Sequence, residues 1–139
     1  MIYLATPYTH EDPAVMEHRY YVTMRLTKDL MVKGYHIFSP ILHCHPIAIQ
    51  YDLPKDYLFW QEYDKSFIIK ADIVMLAYLD GWRESKGMQN DFKIARNFNK
   101  DIWVVQFVPE MNKFTEVIIF HNPWKQFKKE KENGNIKSL

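Results

Sequence analysis

The sequence predicts an α/β fold: a doubly wound, mostly parallel sheet of four or five strands with helices on both faces. Three observations carry that expectation. Short apolar runs alternate with longer stretches of helical periodicity along the chain, with no internal repeat. The run Ile73 to Leu79 is nearly continuous in apolar side chains, as suits a parallel strand covered on both faces. Helix-start signals, Asp12-Pro13 and Ser85-x-Gly87, follow shortly after apolar runs.

The elements follow in order. Met1 to Ala5 is a buried strand, and Thr6-Pro7-Tyr8-Thr9-His10 is a turn. A helix then opens at Asp12-Pro13, keeps Val15, Val22, Leu26 and Leu30 on one face, and stops at Gly34. Tyr35 to Ser39 is a second strand, closed by Pro40. Ile41 to Leu53 reads as a long loop because Pro46 interrupts it and Pro54 follows it, and long loops often carry function. It holds His43, Cys44 and His45. Two histidines without a further Cys or His cluster nearby predict packing or hydrogen-bonding roles and no metal site.

Asp56 to Lys70 is a second helix, with Leu58, Tyr63, Phe67 and Ile68 as its apolar contacts. Asp72 to Leu79 is the third strand, and a helix from about Met88 to Asn97 carries Ile94, with Phe98 at its end. Asp101 to Val108 is the fourth strand, and Glu110 to Phe120 another short helix. Residues 1–124 form one domain. Residues 125–139 form a basic tail without an apolar face, expected to be flexible.

Bulk properties exclude several classes. A chain of 139 residues with 16% aromatics buries a real core. A net charge of +1 gives no footprint for polybasic binding of nucleic acid. No apolar run reaches membrane-span length, and the start lacks a signal-peptide pattern. Cys44 is the single cysteine, which fits a reducing cytoplasm; it is expected to be a small buried residue and not a nucleophile.

The chemistry concentrates in Leu79 to Asp91. A strand ends there in a polar turn, Asp80-Gly81-Trp82, and a helix begins near Ser85 and Gly87. The first amides of a helix have no intrahelical acceptors, and the dipole favours negative charge, so a small anionic ligand is expected at this point. Without a ligand, Ser85 is a helix cap and Asp91 a solvated acid in the first turns.

Several matches in order then bear on function: Tyr3 in the first strand, Ser-Pro-Ile-x-His at Ser39 to His43, Asp64 before Asp72, and Asp80-Gly81-Trp82. Ser85-x-Gly87, Asp91, Ala95 and Asn99-Lys100 complete the series. With these, residues 1–115 resemble the nucleoside 2-deoxyribosyltransferase-like superfamily, of Rossmann/flavodoxin-like fold. Within it, the nucleoside 5'-monophosphate N-glycosidases and their small phage and bacterial relatives look closest. The resemblance implies that Asp91 is the carboxylate at the anomeric carbon, that Asp64 assists near the sugar and departing base, and that Tyr3 orients Asp91. It also implies that Ser85 receives the 5'-phosphate, where transferases on free nucleosides carry Asp. Thr115 would be a second phosphate-binding hydroxyl, lent by the neighbouring subunit of a homodimer or higher homo-oligomer. Gly87, Thr6, His43 and Trp82 would line the same pocket; turn and packing roles stand beside this for the last three.

One residue departs from the pattern. Asp91 is a methylene shorter than the Glu of that superfamily, a reach loss of roughly an ångström where reacting atoms need about 3–3.5 Å. Either the backbone compensates, or the acid plays another part, or the site only binds. The implied reaction is hydrolysis of a nucleotide's N-glycosidic bond without a cofactor. The alternatives are a non-catalytic nucleotide-binding or sensing protein, a deoxyribosyltransferase, and an NAD-type N-riboside hydrolase.

Overall fold

Side-chain alternation in the first strand decides how the layers are built. The computed structural model describes residues 1–107 and 117–123. In chain order its elements are β1 (Ile2–Ala5), α1 (Pro13–Val32), β2 (Ile37–Phe38), α2 (Pro40–Gln50), α3 (Tyr57–Lys70), β3 (Ile73–Ala77), α4 (Lys86–Asn97), β4 (Asp101–Phe107) and β5 (Val117–His121). Ile2 and Leu4 face one side of the sheet, where Leu26 and Leu30 of α1 bury them together with Met75 and Val105. Tyr3 and Ala5 face the other, with Val74 and Leu76, against Ile68 of α3 and Met88 and Ala95 of α4. Period two along the strand therefore delivers Tyr3 to the α4 side.

The sheet order is β2-β1-β3-β4-β5. β1 pairs in parallel with both β2 and β3, and β3 with β4, while β5 runs antiparallel to β4. This is the expected α/β sandwich, a Rossmann/flavodoxin-like arrangement with an antiparallel edge. The chain reverses its direction of winding between β1 and β3, and such a switch point opens a crevice at the strands' carboxyl ends.

Capping explains the helix starts. The Asp12 carboxylate accepts from the Ala14 amide at 2.9 Å, Asp56 from Phe59 at 3.0 Å, and Ser85 Oγ from Met88 at 3.2 Å. Gly34, at φ +95°, ends α1, its amide donating back to the Met31 carbonyl at 2.9 Å.

Three expectations are corrected. Residues 40–50 form a helix, not a loop. Ser39 caps it by accepting from the Leu42 amide at 3.2 Å, and Pro40 stands at the first helical position, where a missing N–H costs nothing. Pro46 does cost a hydrogen bond, but burial of Pro40, Cys44, His45 and Ala48 along one face offsets it. Within the second predicted helix, Leu58 is exposed; Ile68 supplies the burial. Residues 117–120, expected to end a helix, belong to β5: the β-branched run Val117-Ile118-Ile119 pairs with the open edge of β4. The rest of that expected helix and the tail from Lys125 lie outside the described residues.

Gly81 ties the two loops at the switch point. Its φ is +88°, and a Cβ there would stand 2.3 Å from Arg19 Nη2. Arg19 Nη1 donates to the Thr9 carbonyl at 2.9 Å, so the guanidinium braces the β1–α1 loop beneath the β3–α4 loop. Gly81→Ala combines left-handed strain with displacement of that brace. It is expected to destabilise the fold by about 1–3 kcal/mol, read by urea denaturation. A variant as stable as the parent would show that the brace contributes nothing.

Candidate functional site

A cavity of about 710 Å³ lies at the carboxyl ends of β1 and β3. Its walls come from the loop after β1 (Thr6, Tyr8), from α2 (Cys44, His45), from α3 (Trp60, Asp64) and from the start of α4 (Ser85, Gly87, Asp91).

Asp91 is the centre of its chemistry. Buried positions on α4 are Met88, Asp91 and Ala95, so the acid occupies the stripe where an apolar residue belongs. It is only 6% exposed, which excludes the solvated first-turn role. The Tyr3 phenol, itself fully buried, donates to Asp91 Oδ2 at 3.1 Å from beneath the cavity. Burial drives the Asp91 carboxyl well above the usual carboxylate range, the nearby Asp64 adds to that, and the bond from Tyr3 opposes both. Tyr3 in turn is held protonated, chiefly by burial and then by the two acids, so it remains a donor.

Asp64, partly buried on α3, is pushed up to about 7 by burial. Two carboxyls in one buried place do not ionise together; the pair holds a proton near neutral pH and titrates as a unit. A site with one protonated and one ionised carboxyl can donate a proton to one part of a ligand and stabilise positive charge at another.

The other expected residues divide. Thr6 lines the cavity and is 6% exposed, and its hydroxyl has no hydrogen-bond partner among the described residues. Ser85 lines it while capping α4. Gly87 lines it too, but a Cβ there would make only ordinary contacts at 3.9 Å, with Ser85 and Tyr57. Space therefore does not demand glycine.

His43 and Trp82 do not line the cavity. His43 is exposed, its ring near Phe38 at 6.2 Å and Tyr63 at 6.4 Å, because the helical course of residues 40–50 turns it away from the buried face. Trp82 stacks on Tyr78 at 3.8 Å, with Arg83 over its ring at 5.3 Å. Thr115 lies outside the described residues.

Sequence reasoning missed Tyr8 and undervalued His45. The two imidazoles of His43-x-His45 have separate partners, since His45 is buried against Tyr8 and Tyr20. Among the described residues no group of three or more His, Cys, Asp and Glu is arranged to hold a metal ion. Once residues 40–50 are taken as a helix, the spacing of Pro40, Cys44 and Ala48 would have assigned His45 to the buried side. The Cys44 thiol is buried, as expected, and pushed up to about 11 by burial and by Asp64, so it stays protonated.

Residues 1–107 match the family described as Domain of unknown function (DUF1937). The chain belongs to that family. The matched span runs from β1 through β4 and contains every cavity-lining residue named above, together with Tyr3. No curated protein matches the chain. The DUF1937 description assigns no activity, so the chemistry rests on the geometry of Tyr3, Asp64 and Asp91.

Proposed function

We propose that this DUF1937 protein hydrolyses the N-glycosidic bond of a nucleoside 5'-monophosphate, releasing free base and sugar 5-phosphate. The observation that carries the reading is the Tyr3 bond to a buried Asp91 that lines the cavity together with Asp64. The C1'–N bond breaks with its electron pair leaving on the base, and Asp64, holding a proton near neutral pH, protonates that base. In the form of the pair that carries its shared proton on Asp64, Asp91 is ionised and steadied by Tyr3; it stabilises the positive charge at C1' and traps it as an ester. Water then attacks C1', Asp64 takes its proton, and Asp91 is released. No metal or organic cofactor enters. The 5'-phosphate sits by Ser85 and the first amides of α4, where the helix dipole and unshared N–H groups favour an anion.

A binding or sensing role is the second reading, and one observation favours it. Burial raises Asp91 well above the ordinary range, and a carboxyl that stays protonated donates hydrogen bonds but does not attack carbon. A panel of nucleoside 5'-monophosphates and free nucleosides separates the two: released base, resolved by chromatography, marks the enzyme, while a thermal shift without release marks the binder.

Ser85→Asp tests the phosphate. It can still cap α4, but it sets a carboxylate against the phosphate. Losing a charge-assisted hydrogen bond costs about 1.5–3 kcal/mol, so nucleotide turnover is expected to fall about ten-fold to a hundred-fold or further. Turnover of free nucleoside is expected to hold or rise. Equal turnover of nucleoside and nucleotide by the parent protein removes the phosphate assignment.

The same reading includes a homodimer or higher homo-oligomer in which Thr115 of one copy completes its neighbour's phosphate site, and light scattering that gives a strict monomer removes that element. Among the described residues no helix is long and apolar enough to cross a membrane. A single cysteine fits work in the cytoplasm.

A further inference from the structure

Among the polar groups of the cavity wall that the reaction proposed above leaves without a task, His45 is the one held most firmly. His45 of α2 is 8% exposed, its Nδ1 is 2.5 Å from the Tyr8 hydroxyl, and the two rings meet edge-on at 5.3 Å. Its ring also stacks on Tyr20 of α1 at 4.3 Å. Three elements thus hold one imidazole in one orientation at the wall of the cavity, and a packed, hydrogen-bonded ring is a pre-organised contact.

The tautomer follows from the chemistry of the partners. A phenol in contact with an imidazole is the better donor, so Tyr8 O–H donates and Nδ1 accepts. Burial keeps that phenol protonated, pushed up to about 12, and pulls His45 down toward its neutral form. Glu17 from α1 works against that pull and Lys55, from the segment before α3, adds to it. A neutral imidazole whose Nδ1 accepts carries its one proton on Nε2. That N–H has no partner among the described residues.

Its place in the cavity names the ligand group. His45 and Cys44 of α2 line the same cavity as Asp64 and Asp91, the acids that would flank C1'. Ile41, Ala48, Leu58 and Trp60 give the neighbouring wall an apolar character suited to a flat ring. We propose that His45, locked by Tyr8, is the specificity-determining donor for the departing base, and that it selects a ring carbonyl over an amino group. This rests on the N-glycosidase reading. An Nε2–H facing a carbonyl oxygen makes a hydrogen bond; facing an amino group it leaves two donors opposed and desolvated. Uracil and hypoxanthine carry the carbonyl where cytosine and adenine carry the amino group.

The test uses the full chain with 15N-labelled histidine, titrated by NMR with free uracil, cytosine, hypoxanthine and adenine. In the free protein His45 is expected to show an unprotonated Nδ1 and a protonated Nε2, which needs no variant. Uracil and hypoxanthine are expected to shift the Nε2 resonance and to bind about ten-fold more tightly than their amino counterparts. His45→Phe, which keeps a stacking ring and removes the donor, is expected to level that preference, and Tyr8→Phe to release the fixed tautomer. A proton on Nδ1, equal binding of keto and amino bases, or an undiminished preference in folded His45→Phe each overturn the proposal. If uracil moves His45 yet no nucleotide is hydrolysed, the base contact stands and the glycosidase reading falls. If nucleotides are hydrolysed with no keto preference in kcat/KM, the base contact falls and the glycosidase reading stands.

Discussion

Asp91→Asn is expected to lower base release from a nucleoside 5'-monophosphate by about three orders of magnitude, while leaving a folded protein more stable than its parent above neutral pH. The amide has the carboxyl's size, and its oxygen still accepts from Tyr3. Burial and Asp64 raise the Asp91 carboxyl, so its ionised form is the costly one in the folded chain. A group with a raised folded pKa contributes stability at low pH that is lost as pH rises through that pKa. Asn has no such loss, so the variant's advantage grows with pH. An acid kept for structure would behave the other way. Measured turnover together with chemical denaturation at several pH values decides it: full activity in folded Asp91→Asn, or a loss of stability, would end the assignment. Asp91→Glu is the companion. If reach limits the parent, Glu holds or raises activity; a dead but folded Glu variant means that the backbone around α4 has adapted to Asp. The added methylene in so buried a place costs about 1–3 kcal/mol.

Asp64 yields the second large effect, in pH dependence. Its carboxyl is pushed from 3.8 up to about 7 by burial. Between about pH 4 and pH 7 the unfolded chain gives up this proton while the folded chain keeps it, so folding stability falls as pH rises across that window and levels above it. Asp64→Asn removes the slope and is expected to be about 2–4 kcal/mol more stable than the parent at pH 8, at about 1.4 kcal/mol per pKa unit. Catalysis follows the same proton. In the parent, kcat/KM is expected to fall as pH rises past neutrality, where the pair gives up the shared proton that Asp64 hands to the base. Asp64→Asn is expected to lose about 10²–10⁴-fold in rate and that limb of the profile with it. Because the carboxyls interact, the substitution also lets Asp91 ionise at lower pH. A parent rate that is flat across pH 6–9 would deny Asp64 the role of acid, whatever its effect on stability.

Much of the framework was legible because its signals are local. Asp12, Asp56 and Ser85 cap helices through amides only two or three residues ahead, and the apolar run of β3 needs both faces covered wherever it lies. The misreadings have physical causes too. Pro40 and Pro46 are strong breakers by type, yet one stands at a helix start and the other is outweighed by a buried face. Val117 to Phe120 is β-branched and aromatic, a local strand signal, and the edge of β4 gives it the partner that fixes it as β5. The buried acid of α4 did leave a local trace, since Asp91 falls on the stripe set by Met88 and Ala95.

By itself, then, the sequence determined the alternation of strands and helices and the α4 N-terminus with its Ser85 cap. Only the tertiary structure decided that the Tyr3 hydroxyl meets Asp91 across 88 residues of chain, that burial raises both acids, and that His45 faces Tyr8 while His43 and Trp82 turn elsewhere. The reason is range: caps and periodicities are set by neighbours a turn away, whereas the proton affinity of a carboxyl is set by what the rest of the fold packs around it and by the water it excludes.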